Sequence, residues 1–380
     1  MSSSLVRRLL LPAIAAAMLL ALLLPGLAAA KKDDHSDNGK GKVASVMSRN
    51  LYLGADLTPA ILAPTLPEFV AANGQILREV TANDFPVRAK GLADEILKTK
   101  PDLVGLQEVA LWRTAPVNFE VLTKGPSATT VRYDYLQELL TELNRGPDRY
   151  EVVVAQNEFD LEAPADEDGN PATGPFGADI NGRLTMRDVI LARRGAGVET
   201  RNEQSGNFKT NLVVTVSGVP VTIKRGWTAT DARVRGSGWF HFVNTHLEAF
   251  HPLVRQAQAA ELVAPGGPAT SSLPVVLVGD LNSDDDTVEG ADQLAYQTLL
   301  AAGFVERSTD DPLGCCLNSS LLAEGAGGSV SDFDHQVDHV MTNDPGGITL
   351  ERSEVTGLYP VNGFWDSDHA GLYSALRFQG

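Results

Sequence analysis

The chain has 380 residues, 43% of them hydrophobic, and its 31 lysines and arginines against 48 aspartates and glutamates give a net charge of −17. A surface this acidic repels polyanions and gives up the counterion release that most nucleic-acid binders rely on, which disfavours DNA or RNA as a substrate without excluding it. Two cysteines rule out a disulfide framework. After the N-terminus no second apolar run reaches the ~18 residues of a membrane span, so the mature chain reads as soluble.

Arg7 and Arg8 precede an uncharged run from Leu9 to Leu24, and Ala28-Ala29-Ala30 supplies the small residues that a signal peptidase needs before Lys31. Pro12 and Pro25 leave this run short of the ~20 clean apolar residues of an anchor. Residues 1–30 therefore read as a cleaved signal peptide and the protein as secreted. Residues 31–42 carry no apolar side chain and read as a disordered leader. Loss of the signal leaves 29 basic residues against 48 acidic ones, a net charge of −19. Residues 43–380 read as one domain.

Periodicity predicts a first strand over 43–47, helices over 66–80 and 88–99, and a buried strand over 103–106 that runs into Gln107-Glu108. A helix over 135–143 and a strand over 150–155 follow. Residues 157–182, rich in Asp, Glu, Gly and Pro, read as a long acidic loop. Next come a strand over 188–192, a hairpin pairing 212–216 with 219–224, and a strand over 240–244 ending in Thr245-His246. A helix over 252–263 leads to a strand over 274–279, whose apolar run stops at Gly279-Asp280-Leu281-Asn282. A helix over 293–302 capped by Gly303, and strands over 337–341 and 371–378, complete the set. Strands outnumber helices and several follow one another as hairpins, so a mixed two-sheet core covered by helices is expected rather than a doubly wound parallel sheet.

Five strand ends carry residues that a core would not choose: Asn50, Glu108, His246, Asp280 with Asn282, and Asp338. Asp366-Ser367-Asp368-His369 lies just before the last strand. Each alone has an ordinary reading as a solvated strand end, a core histidine or a turn. Together they offer carboxylates for a hard divalent cation, two histidines and two amides, which suits phosphoryl transfer.

The chain resembles the endonuclease/exonuclease/phosphatase superfamily, which includes deoxyribonuclease I, sphingomyelinases and inositol-polyphosphate phosphatases. The motifs are Arg-Asn-Leu at 49–51, Leu-Gln-Glu-Val at 106–109, Asn-Thr-His-Leu at 244–247, Gly-Asp-Leu-Asn at 279–282, Val-Asp-His-Val at 337–340 and Ser-Asp-His at 367–369, in the family's order. The resemblance implies a four-layer α/β sandwich, two packed mixed sheets flanked by helices. It implies Glu108 as the main Mg²⁺ ligand, with Asn50 and Asp368 assisting and Mn²⁺ or Ca²⁺ as alternative ions. Asp280 would orient or deprotonate the attacking water, and Asn282 would hold a phosphate oxygen. His369 would contact the scissile phosphate with Asp338 behind it, and His246 would protonate the leaving oxygen or stabilise its charge.

This chain departs from the family pattern where Gln336 and Val337 precede Asp338 in place of a basic residue and isoleucine, which makes Asp334 a competitor for that role. Arg187, which opens the strand after the acidic loop, is the candidate phosphate-binding residue. The histidine of Asn-Thr-His-Leu disfavours the abasic-site nucleases, which typically lack it. Residues 193–235 form the one basic stretch, either an anionic-substrate surface or a solvated hairpin, and Trp227 and Trp239 lie within or beside it. Cys315 and Cys316 could form a vicinal disulfide, stay reduced or join two chains. Two thiols with no histidine nearby in sequence do not make a zinc site, so a local structural role is preferred. The overall reading is a secreted, monomeric, metal-dependent phosphoester hydrolase acting on a small or lipid-borne phosphate, with transient membrane contact allowed. An extracellular nuclease, or a non-catalytic binding protein on the same scaffold, is the alternative.

Overall fold

Strand β1 (Lys42–Asn50) runs parallel to β2 (Leu103–Gln107), with Val46 opposite Leu103 and Asn50 opposite Gln107. β2 is buried throughout, as its unbroken apolar run requires. The two strands form the middle of an eight-stranded mixed sheet. Its order is β15 (Ile348–Thr356), β16 (Gly371–Phe378), β1, β2, β6 (Ile180–Arg194), β3 (Leu111–Ala115) and β4 (Thr130–Asp134), with β5 (Arg149–Ala165) also paired to β6. A six-stranded sheet runs β13 (Val305–Glu306), β14 (Asp338–Asn343), β12 (Val275–Asp280), β11 (Phe240–His246), β10 (Gly226–Val234) and β7 (Val198–Asn207). A hairpin of β8 (Leu212–Val216) and β9 (Val219–Ile223) stands outside both sheets.

This computed structural model describes residues 42–284, 292–309, 313–324, 328–344 and 346–379. All lie within one compact unit, Gly39–Gly380. The signal peptide and leader read from residues 1–42 fall outside the described residues except for Lys42, which opens β1. Among the described residues no helix is long and apolar enough to cross a membrane.

The sheets meet face to face over Val46, Leu103 and Ile190 on one side and Phe242, Val276 and Val278 on the other. Among the described residues, two short helices, α1 (Thr58–Ile61) and α4 (Val121–Lys124), accompany five longer ones. Helices α2 (Leu66–Ala82), α3 (Phe85–Thr99) and α5 (Tyr135–Leu143) cover the outer face of the larger sheet with Leu77, Leu92, Ile96 and Leu139. Helices α6 (Pro252–Val263) and α7 (Leu294–Ala301) cover the smaller sheet with Leu262 and Leu299. The result is the expected four-layer α/β sandwich. Helix starts follow local chemistry: the Thr65 hydroxyl accepts from the Glu68 N–H, and Pro67 occupies the first turn of α2.

The long acidic loop expected over 157–182 is mostly strand. β5 continues to Ala165 and β6 begins at Ile180, so only 166–179 connects them. Leu161 sits opposite Leu184 and Ala163 opposite Gly182, while Asp160 beside them pairs with Arg183 at 2.6 Å. Asp160 and Glu162 lie on one side of a period-two pattern, and Leu161, Ala163 and Ala165 lie on the other.

Buried amides set how the sheets sit against each other. Asn244, fully buried on β11, donates to the Leu106 carbonyl at 3.1 Å and accepts from the Gln107 amide at 2.6 Å. The crossing is possible because position 105 has no side chain. A Cβ on Gly105 would lie 2.5 Å from a Val278 methyl and 2.6 Å from Asn244 Oδ1. Gly105→Ala is therefore expected to lower stability by about 2 kcal/mol, the usual cost of overpacking, in urea unfolding; an unchanged midpoint would contradict this packing.

Candidate active site

The polar strand ends converge at one edge of the sandwich. β11 and β12 run parallel with His246 opposite Asp280, and β14 runs antiparallel with Asp338 opposite Asp280. Gly279 is needed here because of close approach: a Cβ would lie 2.1 Å from the Thr245 carbonyl oxygen. Beyond the strand ends, Glu108 and Asn282 adopt left-handed φ values of 54° and 48°, a conformation that costs a non-glycine residue energy and clusters at functional sites.

Asp280 is the hub. It is 1% exposed, and its Oδ1 accepts from the Asn282 N–H at 2.9 Å. Its Oδ2 accepts from the Asn50 amide at 3.0 Å and lies 3.4 Å from His246 Nε2 and 3.7 Å from His369 Nε2. Burial alone would raise its pKa, but the two histidines and these hydrogen bonds hold it below the usual carboxylate range.

The histidines are tuned in opposite directions. His369 Nδ1 is 2.7 Å from Asp338 Oδ2. Burial would lower its pKa, yet Asp338, Asp280 and Asp368 raise it well above the ordinary value, so it is an imidazolium. His246 is lowered well below its ordinary value by burial and by Arg225, so it is neutral. The Arg225 Nη1 lies 3.0 Å from its Nδ1 and 3.2 Å from its Nε2.

Two arginines clamp the loop that carries the last motif. Arg49 pairs with Glu95 at 2.7 Å and donates to the His369 carbonyl. Arg88 donates to the carbonyls of Leu51 and Asp366, both at 2.8 Å. Both side chains are fully buried.

A cavity of about 490 Å³ opens over these groups. Glu108, Asp368, Asp280, Asn282, His246 and His369 line its polar end. Glu108 accepts from the Leu53 N–H at 2.7 Å, and its pKa is raised to about 7 by burial and then by the neighbouring Asp368. Asp368 is itself raised, chiefly by burial. Two desolvated carboxylates that resist ionisation are the donor set that a hard divalent cation would relieve, and in this respect the site fits one. Asn50 serves Asp280 instead: its amide nitrogen holds that carboxylate, and its oxygen accepts from the Tyr52 N–H at 2.8 Å. Asn282 presents its side chain to the Leu247 carbonyl at 3.1 Å. Asp334, the competitor for Asp338, points instead to His335.

Arg187, the phosphate-binding candidate, lies away from the cavity. Its guanidinium donates to the carbonyls of Val109 at 2.9 Å and Ala110 at 3.2 Å and pairs with Asp134 at 2.6 Å, so it braces the turn after Glu108 and does not line the cavity. Arg225 is the arginine that does. It stands in the basic stretch noted in the sequence, where nothing separates it from its neighbours. Other arginines there are paired: Arg193 and Arg235 with Asp102, and Arg233 with Glu199. Trp239 lies beneath Arg201 and Trp227 packs against the core under α6 and α7. Behind Arg225 sit Glu158 and Asp188, two buried carboxyls within 4.8 Å of each other. Burial raises Glu158 to about 7 and Asp188 well above its ordinary value. Sequence alone carries no signal for Glu158, which lies inside the stretch that composition marks as loop.

A sequence model of the endonuclease/exonuclease/phosphatase family matches residues 72–369. No curated relative matches the chain. Among solved structures, a family protein from Bacteroides thetaiotaomicron is 14% identical over 90% of this chain and 100% of its own, with a TM-score of 0.50. A family protein from Beutenbergia cavernae is 18% identical over 89% of this chain and 72% of its own, with a TM-score of 0.49. A mannosyl-6-phosphatase from Bacteroides thetaiotaomicron is 14% identical over 88% and 100%, with a TM-score of 0.48.

Arg187→Ala is expected to cost about 3 kcal/mol of stability, because it leaves Asp134 and two carbonyls without their partner. Turnover per folded molecule should stay within about twofold of the parent, whereas a rise in KM with stability intact would restore Arg187 to the substrate.

Proposed function

The chain belongs to the endonuclease/exonuclease/phosphatase family, and we propose that it is a secreted, Mg²⁺-dependent phosphoester hydrolase in which Asp280 aims a water in line at phosphorus. The observation that carries this reading is the Asp280 carboxylate, kept anionic while it touches one cationic and one neutral histidine. An anionic acceptor at neutral pH is what a water-activating base requires.

Asp280 takes hydrogen bonds from Asn50 and from the Asn282 N–H, which fix its plane. It orients the water and receives its proton. His369, positively charged and held by Asp338, faces the phosphate and stabilises negative charge that grows on its oxygens. Neutral His246 with Arg225 stabilises charge on the leaving oxygen, and the asymmetry of the two histidines makes His246 a donor of hydrogen bonds rather than a strong acid. A Mg²⁺ held by Glu108 and Asp368 would act as a Lewis acid on a phosphate oxygen.

The substrate is read as a small or lipid-borne phosphate because the cavity wall away from the catalytic groups is largely apolar. Leu77, Leu161, Leu184 and Met186 line the rest, with Val214 and Val221 of the β8–β9 hairpin closing one wall. An amphiphilic ester matches this division, with phosphate against the carboxylates and histidines and an apolar group beyond.

The test is a panel of phosphoesters, from bis(4-nitrophenyl) phosphate to phospholipids, inositol phosphates, nucleotides and DNA, assayed with Mg²⁺, Mn²⁺, Ca²⁺ or chelator. Metal-dependent turnover should fall about a thousandfold in Asp280→Ala. Absence of turnover on every ester would overturn the proposal. A second expectation follows from Glu108, which in the metal-free protein holds a proton up to about pH 7. Below that value a cation must displace the proton, so its affinity should fall about tenfold per pH unit, and above it level off. Calorimetry that found affinity flat between pH 5 and 7 would remove Glu108 from the metal site.

A further inference from the structure

Cys315 and Cys316 stand beside the catalytic histidine, and no step of the proposed hydrolysis uses either sulfur. They are joined as a vicinal disulfide. Cys315 is buried, whereas Cys316 is exposed and lines the cavity, so a reductant from solvent reaches the bond. Their sulfurs lie 3.7 and 3.9 Å from His369 Nε2, while the other ring nitrogen is taken by Asp338. The backbone holds the pair there: Cys315 exchanges hydrogen bonds with His335, and the Ala370 N–H donates to the Gly314 carbonyl. In sequence the cysteines lack a histidine, and the fold supplies one.

We propose that this cluster is a redox-gated site for a borderline-soft divalent cation of the Zn²⁺ class, built on His369. A disulfide has no thiolate to offer, so the oxidised protein leaves Nε2 to the substrate. Reduction by a trialkylphosphine breaks the S–S bond with two electrons from phosphorus. The phosphine takes the oxygen of a water as phosphine oxide, and the two hydrogens of that water go to the sulfurs. The cation then displaces three protons to solvent, one from each thiol and one from His369 Nε2. Two sulfurs and Nε2, with ligand atoms all within 4.8 Å of one another, give the Cys₂His set to which a water adds the fourth tetrahedral position. Thiolates select such a cation over Mg²⁺, which prefers oxygen ligands. With Nε2 bound, His369 no longer faces the phosphate, so the reduced, metal-loaded form is held inactive.

Co²⁺ is the probe, because thiolate ligation gives a sulfur-to-cobalt charge-transfer absorption that oxygen and nitrogen ligands alone do not. The full chain, in oxidised and phosphine-reduced form, is titrated with Co²⁺ in excess Mg²⁺. The expected result is one equivalent bound with the charge-transfer band in the reduced form only, displaced by Zn²⁺. The band should be lost in Cys315→Ser and Cys316→Ser and weakened at least tenfold in affinity in His369→Ala. No band in the reduced parent, or a band of equal strength in the oxidised parent, would overturn the proposal without recourse to any variant. So would an unchanged affinity in His369→Ala. If the hydrolase assay is active, micromolar Zn²⁺ should inhibit the reduced enzyme and spare the oxidised one, and equal inhibition of both would place the inhibitory ion elsewhere.

Discussion

The Asp280 carboxylate is where the two sheets are tied together at the edge that carries the candidate site. It accepts from Asn50 on the larger sheet and from the Asn282 N–H just beyond its own strand, and both histidines contact the same oxygen. A buried carboxylate without partners would be costly or neutral. Here the partners come from four separate chain segments, so the charge is maintained only when both sheets, the β11 end and the 366–369 loop are all in place. Folding and site assembly are one event. The amide clasp of Asn244 and Gln107 sets the same alignment deeper in the core.

The site is rigid for a related reason. Arg49 and Arg88 have no exposure and direct their donors to carbonyls and to Glu95, which fixes a loop that would otherwise carry Asp368 and His369 loosely. Each nitrogen of the Arg88 guanidinium donates to a backbone carbonyl, and a buried group satisfied in this way specifies one geometry. Burial lowers both histidines, each less than 4 Å from one carboxylate oxygen; Arg225 adds to that effect at His246, and Asp338 with the other carboxylates overrides it at His369.

Much of this is legible in the chain. Runs such as Val275–Asp280 and Leu103–Gln107 announce buried strands, and polar residues at their ends announce an edge with chemistry. Helices over 135–143 and 252–263 have the bounds that their regular apolar faces predict. Strand β7 has no such signal, since Val198–Asn207 is nearly all polar and takes its place in the sheet by pairing with β10. Glu158 and the β5 extension are hidden because charged residues that alternate with apolar ones along a strand look like a loop when composition is read without alternation. Arg187 and Arg225 cannot be told apart in sequence because an arginine's partner is set by tertiary structure. The same holds for the cysteines, whose histidine neighbour lies more than fifty positions away in sequence and becomes visible only in the fold.

The central claim is that a water held by Asp280 attacks phosphorus. Hydrolysis of a phosphoester in ¹⁸O-labelled water tests it most directly, with the products analysed by mass spectrometry after a single turnover. One ¹⁸O in the phosphoryl product and none in the released alcohol is the result this account predicts. Label in the alcohol, which means cleavage of carbon–oxygen, or a phosphoryl product without label, which means transfer to an acceptor other than water, would contradict it.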